Sequence, residues 1–454
     1  MINFYDEVLK IKDELILKTQ ELLRIPSVLT EYDPTNEYPF GKEIHDAFIY
    51  MLDLGQKEGF TVKNIDNHAG HLEIGNGEET LGILCHLDVV PTGDGWDNPP
   101  FSATIKDGKI FARGSMDDKG PTMAAFFAVK LLKDLGFEFN KRVRIILGLD
   151  EESGWRCVDR YFEKEAMPDL GFAPDANFPL IYGEKGIMTT EFKGQVEENG
   201  LYELHFGERT NVVPDQAYAI VNEDLVEAFN TYLKNHHFNG KVENLLSGKV
   251  KLMVFGKNAH AMEPDDGLNA GFILCEFLNT VMNNDFIKFM VDYITFDSRA
   301  KKLGINLNTE LMGDLTVNAG VCRYQNGNFS LLLNYRYPIG FDVENMEVKM
   351  QELAQKCHFE HEIKSNQVPH YVDPNSDFIK TLHDAYIKYT NDTTSPLMTI
   401  GGGTYARSLN KAVAFGPMMP GRVDVVHQPN EYLIIEDLLK ATAIYAEAIY
   451  HLTR

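Results

Sequence analysis

Two short, largely apolar runs with an amphipathic segment between them restrict the fold of this sequence more than any other feature. The runs 81–85 and 143–149 have the length and composition of buried β-strands. The segment 120–136 begins with Gly-Pro, ends with glycine and places its apolar side chains on one face, which predicts an α-helix. Strand, helix and strand in this order are typical of the βαβ unit of parallel sheets. We therefore expect an α/β domain with a largely parallel sheet.

The middle of the chain has a different pattern. Residues 249–255 largely alternate between polar and apolar side chains, as a half-exposed strand does. Residues 269–293 look helical, and residues 315–338 predict a hairpin around the turn signal Asn326-Gly327. This mixture of helix and antiparallel strand predicts an α+β domain inserted into the first one.

The α/β pattern returns towards the C-terminal end. Asp377 is expected to be the N-cap of a helix, and residues 412–415 have the composition of a strand. Residues 434–452 predict a final amphipathic helix. The α/β domain is therefore expected in two parts, with the inserted domain between them: residues 1–186, then the insertion 187–376, then residues 377–454.

Composition and charge argue against several classes of protein. The 454 residues carry a formal net charge of −24, which argues against nucleic acid as a partner because phosphate binding needs clustered Lys and Arg. No apolar run approaches the roughly 20 residues of a membrane span, so no membrane association is expected. The five cysteines form no C-x-x-C pair, and the first residues lack the basic head of a signal peptide. A cytoplasmic location is the simplest expectation.

Histidines and carboxylates stand near the ends of the predicted strands. Active sites of open α/β sheets gather at the carboxyl ends of the strands, so we expect these side chains to lie close together. Two imidazoles and several carboxylates at one edge make a site for divalent metal ions. The residues concerned are His86, Asp88, Asp117, Glu151, Glu152, Asp175 and the distant His427.

Each of these residues also has an ordinary structural interpretation. An aspartate just before a helix, such as Asp117, favours the positive end of the helix dipole. Glu151 and Glu152 also fit a solvated turn. In the catalytic interpretation, these two adjacent side chains point in different directions, so that one ligates a metal while the other stays free as a general base. Asp88 is placed to accept the second N–H of the His86 imidazole and so to fix its tautomer.

Eight motifs spread over the chain resemble one known family in their order and spacing. They are Cys85–Pro91, Gly95–Trp96, Gly114–Gly120, Asp150–Ser153, Gly256–Ala261, Asn334–Pro338, Gly401–Arg407 and His427–Glu431. Together they are similar to the co-catalytic dinuclear metallopeptidases that include aminoacylase, glutamate carboxypeptidase and carnosinase. Among these, the peptidase V type dipeptidases of bacteria resemble the chain most. The resemblance implies that the α/β part is the catalytic domain and that the insertion is a lid domain.

The resemblance implies a site for two divalent metal ions in the catalytic domain. Asp117 would bridge the two ions. His86 and Asp175 would complete the ligands of one ion, and Glu152 and His427 those of the other. Neutral imidazoles with carboxylates suit zinc or manganese, and cobalt would also be tolerated.

Further catalytic roles follow from the same resemblance. Glu151 would act as the general base, and Asp88 would orient the histidine ligand. His260 matches a lid histidine that helps to stabilise the oxyanion. The peptide bond after Asp117 is expected to be cis, as in relatives.

The resemblance also implies which residues contact the substrate. Arg336 would grip the substrate carboxylate, and Asn211 is a second candidate for substrate contact. Within the stretch 401–403, the backbone at Gly402 and Gly403 is expected either to contact the substrate or simply to form a tight turn.

We expect a metal-dependent dipeptidase that cleaves unblocked dipeptides, with a water shared by two metal ions as the nucleophile. Aspartate at position 175 goes with the dipeptidase and aminopeptidase branches of the family. The alternatives are a tripeptidase, an acylase or a carboxypeptidase of the same family, and a non-catalytic metal- or peptide-binding protein. A monomer is favoured, because the insertion 187–376 is longer than the single-module lid of dimeric relatives.

Overall fold

The computed structural model describes residues 2–454, except for the side chains of residues 223 and 247. Two compact units make up the chain. Unit 1 comprises the residues up to Gly183, Tyr371–Met398 and Thr404–Arg454. Unit 2 comprises Glu184–His370 and Thr399–Gly403.

Helices and longer strands alternate between residues 80 and 173 of unit 1, whereas strands predominate in unit 2. Within the described residues the α-helices are α1 Phe4–Lys10, α2 Lys12–Leu23, α3 Lys42–Lys57, α4 Lys119–Asp134, α5 Arg156–Phe162, α6 Val226–His236, α7 Ala270–Val281, α8 Asp285–Tyr293, α9 Val343–Cys357, α10 Asp377–Thr390 and α11 Ile435–Thr453. The strands are β1 Thr61–Ile65, β2 Ala69–Ile74, β3 Thr80–His86, β4 Thr104–Lys106, β5 Lys109–Phe111, β6 Arg142–Gly148, β7 Leu170–Ala173, β8 Ala176–Asn177, β9 Ile181–Glu184, β10 Gly186–Gln195, β11 Leu201–Phe206, β12 Gln216–Asn222, β13 Asn239–Asn244, β14 Lys249–Phe255, β15 Asn308–Thr309, β16 Gly313–Asp314, β17 Thr316–Gln325, β18 Asn328–Tyr337, β19 Glu360–Gln367, β20 His370–Tyr371, β21 Met398–Ile400, β22 Ala412–Ala414, β23 Pro417–Met418 and β24 Tyr432–Ile434.

The central strands of unit 1 are parallel. β3 pairs in parallel with β6 on one side and with β7 on the other, and β22 adds in parallel to β7. Every residue of β3 is buried, as expected of a strand covered on both faces. The antiparallel strands β1 and β2 extend the sheet beyond β6, giving the order β1-β2-β6-β3-β7-β22-β9. The expected α/β fold with a largely parallel core is therefore confirmed.

The parallel strands bring the polar residues to one edge of this sheet. β3 ends with His86, and β6 ends two residues before Asp150. β7 ends two residues before Asp175. The carboxyl ends of neighbouring parallel strands share an edge, so the turns that follow them meet.

Unit 2 is an α+β unit built on an antiparallel sheet in the order β13-β14-β12-β11-β17-β18-β10-β19. The expected hairpin is present, with Asn326 and Gly327 between β17 and β18 at φ of 48° and 80°. Positive φ at both turn residues is what a two-residue hairpin with a type I′ turn requires. Helices α7 and α8 bury apolar faces in one core with these strands.

One local prediction was confirmed with a break, and another was wrong. Residues 269–293 are largely helical as expected, but they form two helices, because the buried Asn284 accepts hydrogen bonds from the backbone N–H groups of Phe286 and Ile287 and so starts a new helix. The N-cap of α10 is Ser376 rather than Asp377, which is the first residue inside the helix.

Two further observations concern the whole described chain. Among the residues that the structure describes, no helix has both the length and the apolar character needed to cross a membrane. All five cysteines are free thiols: Cys85, Cys157, Cys275, Cys322 and Cys357.

Candidate active site

Asp117 lies between two histidines in unit 1. Its Oδ1 is 2.9 Å from His86 Nε2, and its Oδ2 is 2.9 Å from His427 Nε2. The peptide bond between Asp117 and Asp118 is cis, as expected from the sequence. A carboxylate whose two oxygens face two different imidazoles has the arrangement of a bridge between two cations.

The histidines and carboxylates of this site form two groups of possible metal donors. Each group offers three donor atoms that all lie within 4.8 Å of one another. The two groups are His86, Glu151 and Asp175, and Asp117, Glu152 and His427. Nitrogen and carboxylate oxygen donors in threes at this spacing fit two divalent ions. The structure therefore brings together all six of these sequence-predicted residues.

A backbone contact fixes the tautomer of His86. Its Nδ1 lies 3.0 Å from the carbonyl oxygen of Asp88, which can only accept a hydrogen bond, so Nδ1 carries the proton. The bare Nε2 then faces the acids, and this buried atom has no hydrogen-bond partner among the described residues. An imidazole held in this way is prepared to ligate a metal.

The carboxylate of Asp88 has a contact that the sequence did not indicate. Its Oδ1 is 3.5 Å from His86 Nδ1, which is longer than the distance to the carbonyl. Its two oxygens instead accept the backbone N–H groups of Glu151 and Glu152, each at 3.1 Å. Asp88 therefore connects the histidine at the end of β3 with the acidic turn after β6.

An ion pair also holds the acidic turn. The buried Asp150 accepts two hydrogen bonds of 2.6 Å from the Arg156 guanidinium. This guanidinium also lies 4.0 Å from the centre of the Tyr32 ring. Asp150 is thus a structural residue, although it stands directly beside two candidate catalytic glutamates.

The electrostatics of the two groups favour added positive charge. Burial, together with the neighbouring carboxylates, raises the pKa of Glu151 well above its usual range. Burial and the charge of Asp117 raise the pKa of Glu152 to about 7 and that of Asp175 to about 6. Hydrogen bonds that His427 donates to the carboxylates of Asp117 and Glu152 raise the pKa of His427 to about 10. These carboxylates crowd one another, and a cation between them relieves the repulsion.

His260 lies in unit 2 and is held as a hydrogen-bond donor. Its Nδ1 accepts the N–H of Met262 at 3.0 Å, so the proton of the neutral ring is on Nε2. Burial and the nearby Arg336 charge lower the pKa of His260, which keeps the ring neutral near pH 7. The carbonyl of Asn211 accepts the N–H of Ala261, the neighbour of His260, at 2.9 Å. The structure therefore brings the predicted residues Asn211 and His260 together within unit 2.

Arg336 is buried in unit 2 beside the glycine-rich stretch. Its Nε donates to Asn334 Oδ1 at 2.8 Å, and its Nη1 donates to the Gly401 carbonyl at 3.1 Å. A side chain at position 401 would come within 2.9 Å of Met262 Cβ, which explains the glycine there. Gly402 and Gly403 follow it in the same unit.

Two residues near these sites were missed from the sequence. The buried Asp118 accepts the backbone N–H of His86 at 3.1 Å, and its place next to Asp117 in the motif was an available signal. Asn318 donates to the carbonyls of Thr210 and Val212, both at 2.9 Å, and holds the loop of Asn211. No sequence signal marked Asn318, because its partners are distant in the chain.

Comparison with known proteins identifies the family. The profile of peptidase family M20/M25/M40 matches residues 82–451. The chain belongs to this family. The family assignment confirms the resemblance seen in the motifs.

Two similar relatives match the M20-family chain over nearly its whole length. One is "Putative dipeptidase YtjP" of Bacillus subtilis (strain 168), which is 44% identical over 470 residues and covers 100% of both chains. The other is "Putative dipeptidase" of Staphylococcus epidermidis (strain ATCC 12228 / FDA PCI 1200), which is 43% identical over 466 residues and covers 98% of both chains.

Solved structures share the M20-family fold. Human carnosine dipeptidase 1 aligns over 99% of this chain and 98% of its own, with a TM-score of 0.58 and 15% sequence identity. At this identity the comparison shows the fold alone. The α/β architecture with a second α+β unit is therefore the architecture of the family.

Proposed function

We propose that this M20-family protein is a metal-dependent dipeptidase that hydrolyses unblocked dipeptides. The observation that carries the proposal is Asp117, whose two oxygens each lie 2.9 Å from a different imidazole. The names of the two bacterial relatives support the dipeptidase activity. Zinc or manganese would suit the donors, and cobalt would substitute.

The ligands are proposed to divide at the shared aspartate. His86 and Asp175 would hold one ion, Glu152 and His427 the other, and Asp117 both. Two divalent ions at this position would lower the pKa of a water molecule and polarise the scissile carbonyl.

The protein's own residues then move the proton and hold the substrate. Glu151 accepts a proton from the attacking water and delivers it to the leaving amine. The Nε2–H of His260 donates a hydrogen bond to the developing oxyanion. The Arg336 guanidinium pairs with the free carboxylate of the dipeptide, and Asn211 with the backbone at Gly402 and Gly403 contacts the rest of the substrate.

The oligomeric state and compartment are also proposals. The edge strands β13 and β19 carry alternating charges, including Lys241, Glu243, Glu360 and Glu362. Charged edge strands disfavour pairing with another sheet, which supports a monomer. Five free thiols support a reducing, cytoplasmic compartment.

Hydrolysis of a small panel of substrates tests the proposal. The enzyme is stripped with a chelator, and zinc, manganese or cobalt is added back. We expect cleavage of unblocked dipeptides only after an ion is restored. Preferred cleavage of N-acyl amino acids would indicate an acylase, and that of tripeptides a tripeptidase. Preferred cleavage of N-blocked dipeptides would indicate a carboxypeptidase. Metal binding without any turnover would indicate a binding protein.

A further inference from the structure

Glu431 is a fully buried carboxylate with four hydrogen bonds to the loop that carries Asp117. Its Oε1 accepts the N–H groups of Met116 at 2.8 Å and Asp117 at 3.3 Å. Its Oε2 accepts the N–H of Gly114 at 3.2 Å and a guanidinium N–H of Arg113 at 2.7 Å. Every one of these donors lies within a five-residue stretch that ends at Asp117.

The partner of this carboxylate, Arg113, contacts two other loops of unit 1. Its Nη2 donates to the carbonyls of Pro91 and Thr92 at 3.3 and 3.4 Å, in the turn that follows His86 and Asp88. Its Nη1 donates to the Gln428 carbonyl at 3.4 Å, next to His427. The side chain of Arg113 is only 1% exposed. One buried ion pair therefore connects the loops of three proposed metal ligands.

We propose that Arg113 and Glu431 are positioning residues that set the separation of Asp117 and His427. This separation in turn sets the affinity for the ion that Asp117, Glu152 and His427 would hold. This inference rests on the proposed dinuclear site. His427 and Glu431 lie four residues apart on one loop. The hydrogen bond that Glu431 accepts from the backbone N–H of Asp117 therefore joins the loop of one proposed ligand to the loop of the other. Residues that hold metal ligands in place commonly contribute 10- to 100-fold to metal affinity.

An ion pair that only stabilises the fold need not contact the loops that carry the proposed metal ligands. The pair between Glu73 and the buried Arg144 is of that kind, because it joins β2 and β6 at 2.7 Å and has no hydrogen bond to a proposed ligand. Replacing Glu431 by Gln keeps the shape but turns one oxygen into an NH₂ group. That group cannot accept from the N–H donors of the Asp117 loop, so the loop loses part of its attachment.

Cobalt titration of the stripped full-length protein tests the proposal. The visible absorption of bound cobalt reports ligand geometry, and a competing chelator dye gives the affinity of each ion. The proteins compared are the wild type, Glu431→Gln, Glu431→Asp, Arg113→Lys and the matched control Glu73→Gln. Circular dichroism and the melting temperature of the stripped proteins establish that each variant is folded.

The wild type is expected to bind two cobalt ions. In Glu431→Gln the Kd of one of the two ions should rise at least about tenfold and the cobalt spectrum should change. Glu431→Asp should recover part of the affinity, because it keeps the charge. Glu73→Gln should keep wild-type affinity even if it lowers the melting temperature.

The outcomes separate the inference from the function on which it rests. Wild-type affinity and spectrum in Glu431→Gln would overturn the positioning role alone. Equal losses of affinity in Glu431→Gln and Glu73→Gln would also overturn it, because the effect would then be a general loss of stability. A wild type that binds fewer than two ions would overturn the dinuclear site and this inference with it. Should Glu431→Gln not fold, Arg113→Lys replaces it, and wild-type affinity there would overturn the proposal.

Discussion

At the scale of single residues, Glu151 and Glu152 are neighbours in the chain with different surroundings. Glu152 Oε1 lies 3.1 Å from His427 Nε2, next to Asp117. Glu151 instead lies in the group of His86 and Asp175. Asp88 accepts hydrogen bonds from the backbone N–H groups of both glutamates. Their carboxylates have different neighbours and can therefore take different roles.

Substituting the two glutamates separately should separate catalysis from metal binding. We expect Glu151→Ala to keep both ions and to lose kcat by at least about 10²-fold, because the general base is gone. Glu152→Ala should lose one ion. Metal content by atomic absorption and kcat on one dipeptide measure the two effects, with the exposed Glu163→Ala as control. The reverse pattern, with ions lost in Glu151→Ala, would exchange the two roles.

Arg336 should decide whether a substrate needs a free carboxylate. The fork of a guanidinium pairs with a carboxylate through two hydrogen bonds, which an ammonium cannot reproduce. We expect Arg336→Lys to lower kcat/KM on free dipeptides about 10- to 100-fold, and to affect amidated dipeptides much less. Arg323→Lys, on β17 of the same sheet, serves as the control. Equal rates of the wild type on free and amidated dipeptides would contradict this role.

Some of these contacts could be predicted from the sequence, and others could not. Positions such as His86 and Asp175 could be predicted, because the change from a short apolar run to polar residues marks the end of a buried strand. The carbonyl that fixes the tautomer of His86 could not, because backbone groups have no residue-specific signal. Asn318 could not either, since it acts through carbonyls more than a hundred positions away.

At the scale of elements, the short apolar strands and helix α4 were predicted within two residues. The run 81–85 corresponds to β3, Thr80–His86, and the segment 120–136 to α4, Lys119–Asp134. The break between α7 and α8 was missed because apolar periodicity continues across it. The helix is interrupted because the side chain of Asn284, rather than a backbone carbonyl, accepts the N–H groups of Phe286 and Ile287.

Asn284 should therefore be important for the stability of unit 2. Its Oδ1 caps α8, and its Nδ2 donates to the carbonyls of Glu197 and Glu198 and to the Tyr324 hydroxyl. We expect Asn284→Ala to lower the free energy of unfolding by about 2–4 kcal/mol, because a buried cap is lost and the partly buried carbonyls of Glu197 and Glu198 lose their donor. Urea denaturation measures the change. Asp342→Ala, which removes an exposed cap of α9, should cost only about 1 kcal/mol. Equal costs for the two caps would show that burial of Asn284 adds nothing.

At the scale of the whole molecule, stability should fall in mild acid through a buried histidine that is remote from the metal ligands. His71 on β2 is 4% exposed, and its Nδ1 is 2.7 Å from the Tyr161 hydroxyl. Burial, with a contribution from the Arg144 charge, lowers the pKa of His71 from 6.5 to about 4. Between these values the unfolded chain takes up a proton that the folded chain does not, so stability is lost as the pH falls from 6.5 to 4.

The expected loss from this one residue is roughly 3 kcal/mol across that pH range. Denaturant unfolding of the metal-free protein at several pH values measures it. His71→Gln should show a shallower decline between pH 6.5 and 4, whereas the exposed His236→Gln should follow the wild type. Parallel curves for the wild type and His71→Gln would rule out this source of acid sensitivity.

The position of β22 determines when unit 1 can be completed during synthesis. β22, Ala412–Ala414, lies between β7 and β9 in the sheet, and α11 packs against α4. At about 5–20 residues per second, the ribosome adds these segments many seconds after β7 has emerged. All of unit 2 is translated in that interval. Until these segments are made, the N-terminal part of unit 1 has a gap in its sheet and uncovered apolar surface, which makes the nascent chain prone to aggregation. A ribosome that stops before residue 412 would release a chain that can neither close this sheet nor present His427.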